Sequence, residues 1–210
     1  MKLFLILSIL IQESVGFNLC VVGGKSGLGR ELIFQSICKN KKVLALTNNS
    51  LSVDYPYRGG GLDLKKTNKK IQDNNLVVDT YDNCNKYKFG NIVFSLGAGP
   101  FENDYSDIVT SNILENVNNK INQIVLMSAY GVGNSLHESN LGIKVMDSLY
   151  LRDTYRAKNR QEEIVSKYAE KNKINCFILR PKGLSYGQNI YSIKSREKQA
   201  KEILELLYLD

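Results

Sequence analysis

A chain of 210 residues is the length of one domain, and 43% hydrophobic with 23% charged residues supports a packed core beneath an ordinary polar surface. The formal charge of +7 comes from lysines scattered along the chain, without an arginine-rich run or basic–aromatic alternation. It therefore reads as a solvated surface, and nucleic-acid binding finds no support. Cys20, Cys38, Cys84 and Cys176 include no close pair and no metal-ligand spacing, so neither a disulfide framework nor a metal site is expected.

At the N-terminus, Lys2 is followed by an apolar run, Leu3 to Ile11, and then by "ESVG". Basic, apolar and small residues in that order form a signal-peptide pattern. The run is too short for a stable transmembrane helix, which takes roughly 20 apolar residues. A buried first strand is the alternative. The leader is preferred because removing residues 1–16 leaves "FNLCVVGG", a natural start for a strand, at the head of a domain over 17–210. A leader followed by Phe resembles the import signal of complex plastids in algae with secondary chloroplasts, although the usual basic stretch after it is missing. That resemblance implies a plastid; an uncleaved leader leaves the protein cytoplasmic.

Beyond the leader, apolar runs alternate with helical patterns. "NLCVVG" (18–23) is rich in β-branched residues and stops at glycine, so it reads as a strand. In "LGRELIFQSICKN" the spacing puts Leu28, Leu32, Ile33 and Ile37 on one helical face. Strands are expected at 42–48, 91–99, 122–131 and 174–181, with a short one at "NLVVD" (75–79) inside the irregular stretch 49–90. Helices are expected at 106–117, with Ser106 as N-cap, at 154–171 and at 195–209. Cys20 and Cys176 fall in strand-like runs and are expected to be buried thiols. Strand–helix alternation with apolar strands is the signature of a parallel sheet covered on both faces, an α/β fold.

"CVVGGKSGLGREL" follows a strand and opens an amphipathic helix, the context that gives a glycine pattern its meaning. Glycines there permit a tight turn, close approach of a phosphate and helix–strand packing, while the helix N-terminus offers amides to a pyrophosphate. The stretch resembles the cofactor turn of short-chain dehydrogenases/reductases. "FSLGAGP" resembles that family's strand and turn beside the adenosine half of the cofactor, and "IVLMSAYGVG" resembles its strand ending in an active-site serine. "YRAKNRQEEIV", "INCFILRPKGL" and "SREKQAKEILELL" resemble the divergent, NmrA-like, NAD(P)H-binding branch. The resemblance spans nearly everything after Phe17. It implies a single Rossmann-type domain, a doubly wound parallel sheet with helices on both faces.

It also implies a cofactor set of Gly23, Lys25, Ser26, Gly27, Leu28, Gly29, Asn48, Asp63, Leu64, Gly97, Ala98, Gly99, Ser128, Lys158 and Pro181. The expected cofactor is NADP, with NAD as the alternative. The second strand ends in Asn48, so no carboxylate repels a 2′-phosphate, and Lys25 can reach it.

Orthodox members use a tyrosine as proton donor with a lysine four residues later on the same helical face. No tyrosine in this chain has a lysine at that spacing; Tyr155 stands three residues before Lys158, and Tyr150 eight before it. The catalytic candidates are Ser128, Tyr155 and Lys158, with Tyr130 as a second donor. His137, the sole histidine, falls in a polar loop and is read as a surface residue. Three functions fit: an NADPH-dependent reductase of a small acceptor such as a flavin or quinone, a non-catalytic NADP-binding sensor or assembly factor, or a nucleotide-sugar epimerase or dehydratase. The last is disfavoured because few residues follow "RP". A monomer or homodimer is expected.

Overall fold

The computed structural model describes residues 16–48, 75–97, 104–133, 152–182, 184–185 and 194–208. The short apolar runs become β1 (Phe17–Val22), β2 (Val43–Thr47), β3 (Leu76–Thr80), β4 (Phe89–Phe94), β5 (Gln123–Met127) and β6 (Asn175–Leu179). The periodic segments become α1 (Gly27–Cys38), α2 (Ser106–Asn116), α3 (Arg152–Asn172) and α4 (Arg196–Leu207). Two further pieces have no counterpart in the sequence reading. A 3-10 turn at Tyr81–Lys86 carries β3 towards β4, and the two-residue strands β7 (Leu184–Ser185) and β8 (Lys194–Ser195) pair in parallel before α4.

The six longer strands form one parallel sheet in the order β3-β2-β1-β4-β5-β6. Its register runs Cys20 against Leu44 on one side and Ile92 on the other, then Ile92 against Ile124 and Ile124 against Cys176. Strand residues alternate between two cores. Leu19, Val21, Val43, Ala45 and Val125 pack under α1 and α4, against Leu32, Ile33, Ile203 and Leu204. Cys20, Val22, Leu44, Phe94 and Ile124 pack under α2 and α3, against Ile113, Leu114 and Val165. With helices on both faces, both sets of side chains leave water, which is why the strands read as continuous apolar runs rather than alternating ones. This is the expected doubly wound α/β fold.

Two local expectations change. Ser106 is the first residue of α2, not its cap; the Asp104 carboxylate accepts from the Ser106 amide at 2.8 Å. The N-cap position is Tyr105, whose side chain makes no cap bond, and Asp104 just before it takes the first helical amide instead. Cys176 is half-buried, because among the described residues β6 has a neighbouring strand on one side only.

Candidate functional site

In this topology the strand order turns back between β1 and β4, and the crevice beyond the carboxyl ends of those strands is where doubly wound folds hold ligands. The glycine turn lies there. Gly23 adopts φ +85°, a conformation open to glycine at little cost, and a Cβ on it would meet Ser95 O at 3.0 Å. Gly29 has no room at all: a Cβ would collide with Gly23 O and come within 2.9 Å of Ser26 Oγ. Helix and turn are therefore locked at van der Waals contact by the absence of a side chain.

Ser26 caps α1, its Oγ accepting from the Gly29 amide at 2.8 Å, while its carbonyl takes the Arg30 amide at 2.9 Å. Ser26 and Ser95 share a hydrogen bond at 3.1 Å, and Ser95 Oγ lies within 3.2 Å of Gly23 O. The cap thus ties β1, α1 and the exit of β4 together. First-turn amides have no partner inside a helix, so those of Gly27 and Leu28 face the crevice as anion donors. The Leu28 side chain is a core residue, so only its backbone can serve a ligand. Lys25 is exposed on the turn, and Asn48 is exposed immediately beyond β2. A Cβ on Gly97, just past β4, would meet nothing within 4 Å, which marks open space at that rim.

The second half of the site centres on α3. Lys158 is 4% exposed, and its ammonium donates to Leu96 O at 2.6 Å, Gln161 Oε1 at 2.9 Å and Met127 O at 3.2 Å. It therefore bolts the helix to the exits of β4 and β5. Burial pulls its pKa down to about 8, against an upward pull from the Asp104 and Glu162 carboxylates. Leu96 is also the side chain nearest Gly23, so lysine and glycine turn meet through one residue. Ser128 follows β5 directly; its amide donates to Leu179 O at 2.9 Å, and its buried Oγ has no hydrogen-bond partner. The Tyr155 hydroxyl donates to Tyr130 O at 3.2 Å, and the Tyr130 amide donates to Pro181 O at 3.2 Å. Lys182 sits over the Tyr130 ring, 5.2 Å from its centroid.

The structure thus gathers Gly23, Lys25, Ser26, Gly27, Leu28, Gly29 and Gly97 on one side of the crevice. Ser128, Tyr155, Lys158 and Pro181 lie around the exits of β5 and β6. Asp63, Leu64, Ala98, Gly99, His137 and Tyr150, with the leader 1–15, lie outside the described residues. One residue was overlooked. Asp79 stands at the carboxyl end of β3, beside Leu46 of β2, where "NLVVDT" already offers a strand ending in aspartate. Its carboxylate accepts from Thr80 N, Asn83 Nδ2 and Tyr87 Oη at 2.7, 2.8 and 2.6 Å. Burial raises its pKa, but those hydrogen bonds outweigh it and leave the group below its ordinary value.

No protein-family model matches the chain, and no curated protein matches it. Solved structures do. ChuY, an anaerobilin reductase from Escherichia coli O157:H7, superposes with a TM-score of 0.62 at 15% identity, over 91% of this chain and 90% of that one. Vestitone reductase from alfalfa (Medicago sativa) gives 0.56 at 15% identity, over 91% and 73%. UDP-N-acetylglucosamine 4-epimerase from Bacillus cereus gives 0.56 at 18% identity, over 91% and 73%. The chain has the fold of these reductases and epimerases. It is the fold that the resemblance to atypical short-chain dehydrogenases/reductases implies.

Proposed function

We propose that the protein is a nicotinamide-dinucleotide-dependent reductase of the atypical short-chain dehydrogenase/reductase type, using NADPH and acting on a small acceptor such as a flavin or quinone. The observation that carries this reading is the cradle: a glycine turn with no space for side chains, set under unpaired helix amides at the switch point of the sheet. The orphaned Ser128 Oγ fits the same ligand, since a buried hydroxyl without a partner is costly unless something fills the crevice beside it. The bound nicotinamide supplies hydride. Ser128 offers its hydroxyl to the acceptor's polar atom, and Lys158 fixes the wall on which the nicotinamide ribose rests. NADPH is favoured over NADH because Asn48, immediately after the second strand, brings no carboxylate and Lys25 is exposed on the glycine turn. We extend the reading to an organellar destination carried by residues 1–16, on the leader pattern alone.

A non-catalytic NADP sensor has its own supporting observation. The Lys158 ammonium and the Tyr155 hydroxyl both spend donors on protein acceptors, so these two do not stand ready as a proton-moving pair. One experiment separates the readings. At about 100 times its dissociation constant NADPH stabilises by about 2.7 kcal/mol, raising the melting temperature of a protein this size by about 5–10 °C. The reductase reading expects that shift, a smaller one with NADH, and loss of NADPH absorbance with a flavin or quinone. A shift without oxidation by any acceptor leaves the sensor. No shift with either nucleotide rejects both.

A further inference from the structure

The β5–β6 ladder runs on past the ends of the two strands. Beyond the Met127–Leu179 pair, the Ser128 amide donates to Leu179 O at 2.9 Å and the Tyr130 amide to Pro181 O at 3.2 Å, the spacing of further parallel rungs. Side chains alternate along extended chain, and Ile124, Leu126 and Ile178 face the core under α2 and α3. Counting on by twos places Ser128 and Tyr130 of one chain segment, and Arg180 and Lys182 of the other, on that same face at the crevice. Two contacts agree with this placement. Arg180 pairs with Glu162 of α3, and the Lys182 ammonium lies 5.2 Å from the centroid of the Tyr130 ring.

This face carries more positive charge than the protein itself answers. Arg180 is matched by Glu162 through two hydrogen bonds. Lys158 donates only to neutral oxygens, and Asp104 and Glu162 are the carboxylates whose charge reaches it. Lys182 is exposed and has no ion pair among the described residues. Its contact with the Tyr130 ring holds the ammonium at the rim while leaving N–H donors to spend. On the same face Ser128 is 8% exposed, and its Oγ has no partner. A buried hydroxyl without a partner and an unmatched cation two rungs along are both answered by one class of ligand, an organic anion.

We propose that the acceptor is an anion and that Lys182 is the residue that selects it, its ammonium pairing with a phosphate or carboxylate on a ligand whose reactive end lies at Ser128. This deepens the reductase reading above and rests on it for the hydride step; capture of the anion does not need that step.

FMN and riboflavin share one ring system and differ by a phosphate, so the ratio of their affinities isolates the charge. Quenching of flavin fluorescence in the presence of NADP⁺ gives that ratio, and NADPH oxidation gives turnover. A charge-assisted hydrogen bond at an accessible site strengthens binding about 10-fold. Wild type is expected to bind FMN more tightly than riboflavin by that factor, with the advantage shrinking as KCl is raised. Lys182→Met keeps most of the stem and is expected to equalise the two flavins, whereas Lys182→Arg keeps the preference. Lys171→Met, which removes an exposed charge at the far end of α3, should leave the ratio unchanged. Wild type that binds both flavins equally, or neither, overturns the proposal. So does Lys182→Met that still prefers FMN, whether or not both affinities fall. A lysine-dependent FMN preference without NADPH oxidation leaves the anion site standing and rejects the reductase reading instead.

Discussion

Lys158 is the residue whose surroundings make the sharpest quantitative claim. Its ammonium is held by two main-chain carbonyls and one amide oxygen, yet burial lowers its pKa from 10.5 to about 8. The unfolded chain keeps this proton up to about pH 10.5, whereas the folded one releases it near pH 8. Between those values the unfolded state binds more protons, so this group's contribution to stability rises with pH; below pH 8 its burial cost is present in full. Across the whole window the gain is on the order of 3 kcal/mol. Urea denaturation of wild type and Lys158→Met from pH 7 to pH 10 reads the effect as a difference. Wild type is expected to gain on the variant as pH rises, and parallel curves would show that the lysine titrates as it does in water.

At the level of the element, α3 shows how a polar helix can be a core helix. Five consecutive residues reach different parts of the fold. Lys158 reaches the exits of β4 and β5, Asn159 Oδ1 accepts from Gly133 N at 2.8 Å, and Arg160 pairs with Asp107 of α2. Gln161 donates to Thr110 Oγ1 at 2.8 Å, and Glu162 takes a two-pronged pair from Arg180 at 2.8 and 2.7 Å. The Glu162 side chain is 9% exposed and that of Arg180 27%, so Glu162→Gln strands a largely desolvated guanidinium. It is expected to cost about 1–3 kcal/mol, seen as a lower urea midpoint at unchanged slope. Lys167→Ala removes only the exposed partner of Glu163 and should leave the midpoint in place. None of this was legible in "AKNRQEE", because the acceptors are carbonyls and side chains distant in sequence. The sheet and its helices were legible, since covering both faces forces apolar runs and amphipathic periods. Tyr81–Lys86 was not, because an Asn-rich 3-10 turn has no such period. Asp79 has little signal of its own, since it closes a short strand in a polar stretch and its hydrogen-bond partners Asn83 and Tyr87 come from the turn that follows.

For the molecule as a whole, the sheet's centre is the last place water should reach, and the chain carries its own reporters of that. Cys20 lies in β1 between Leu44 and Ile92, fully buried, with burial holding its thiol well above the ordinary range. Cys84 is closed in beneath α2, its thiol donating towards Ile113 O at 4.0 Å. Cys176 lies half-buried on β6, and Cys38 is exposed at the end of α1. Thiolate is the reactive form, so exposure and ionisation act in the same direction. At pH 8 an aromatic disulfide reagent should modify Cys38 at once and Cys176 more slowly. Cys20 lies fully buried in the core under α2 and α3, with a paired strand on either side, and that core must open before a reagent can touch it. Its rate therefore follows the population of the globally open state, rising steeply with added urea while that of Cys38 barely changes. A ligand bound to the folded state lowers that population by one plus its concentration over its dissociation constant. NADPH at about 100 times that constant should slow Cys20 about 100-fold and leave Cys38 untouched. If Cys20 reacts at a urea-independent rate, β1 opens locally, and the sheet is not the single cooperative unit that its register describes.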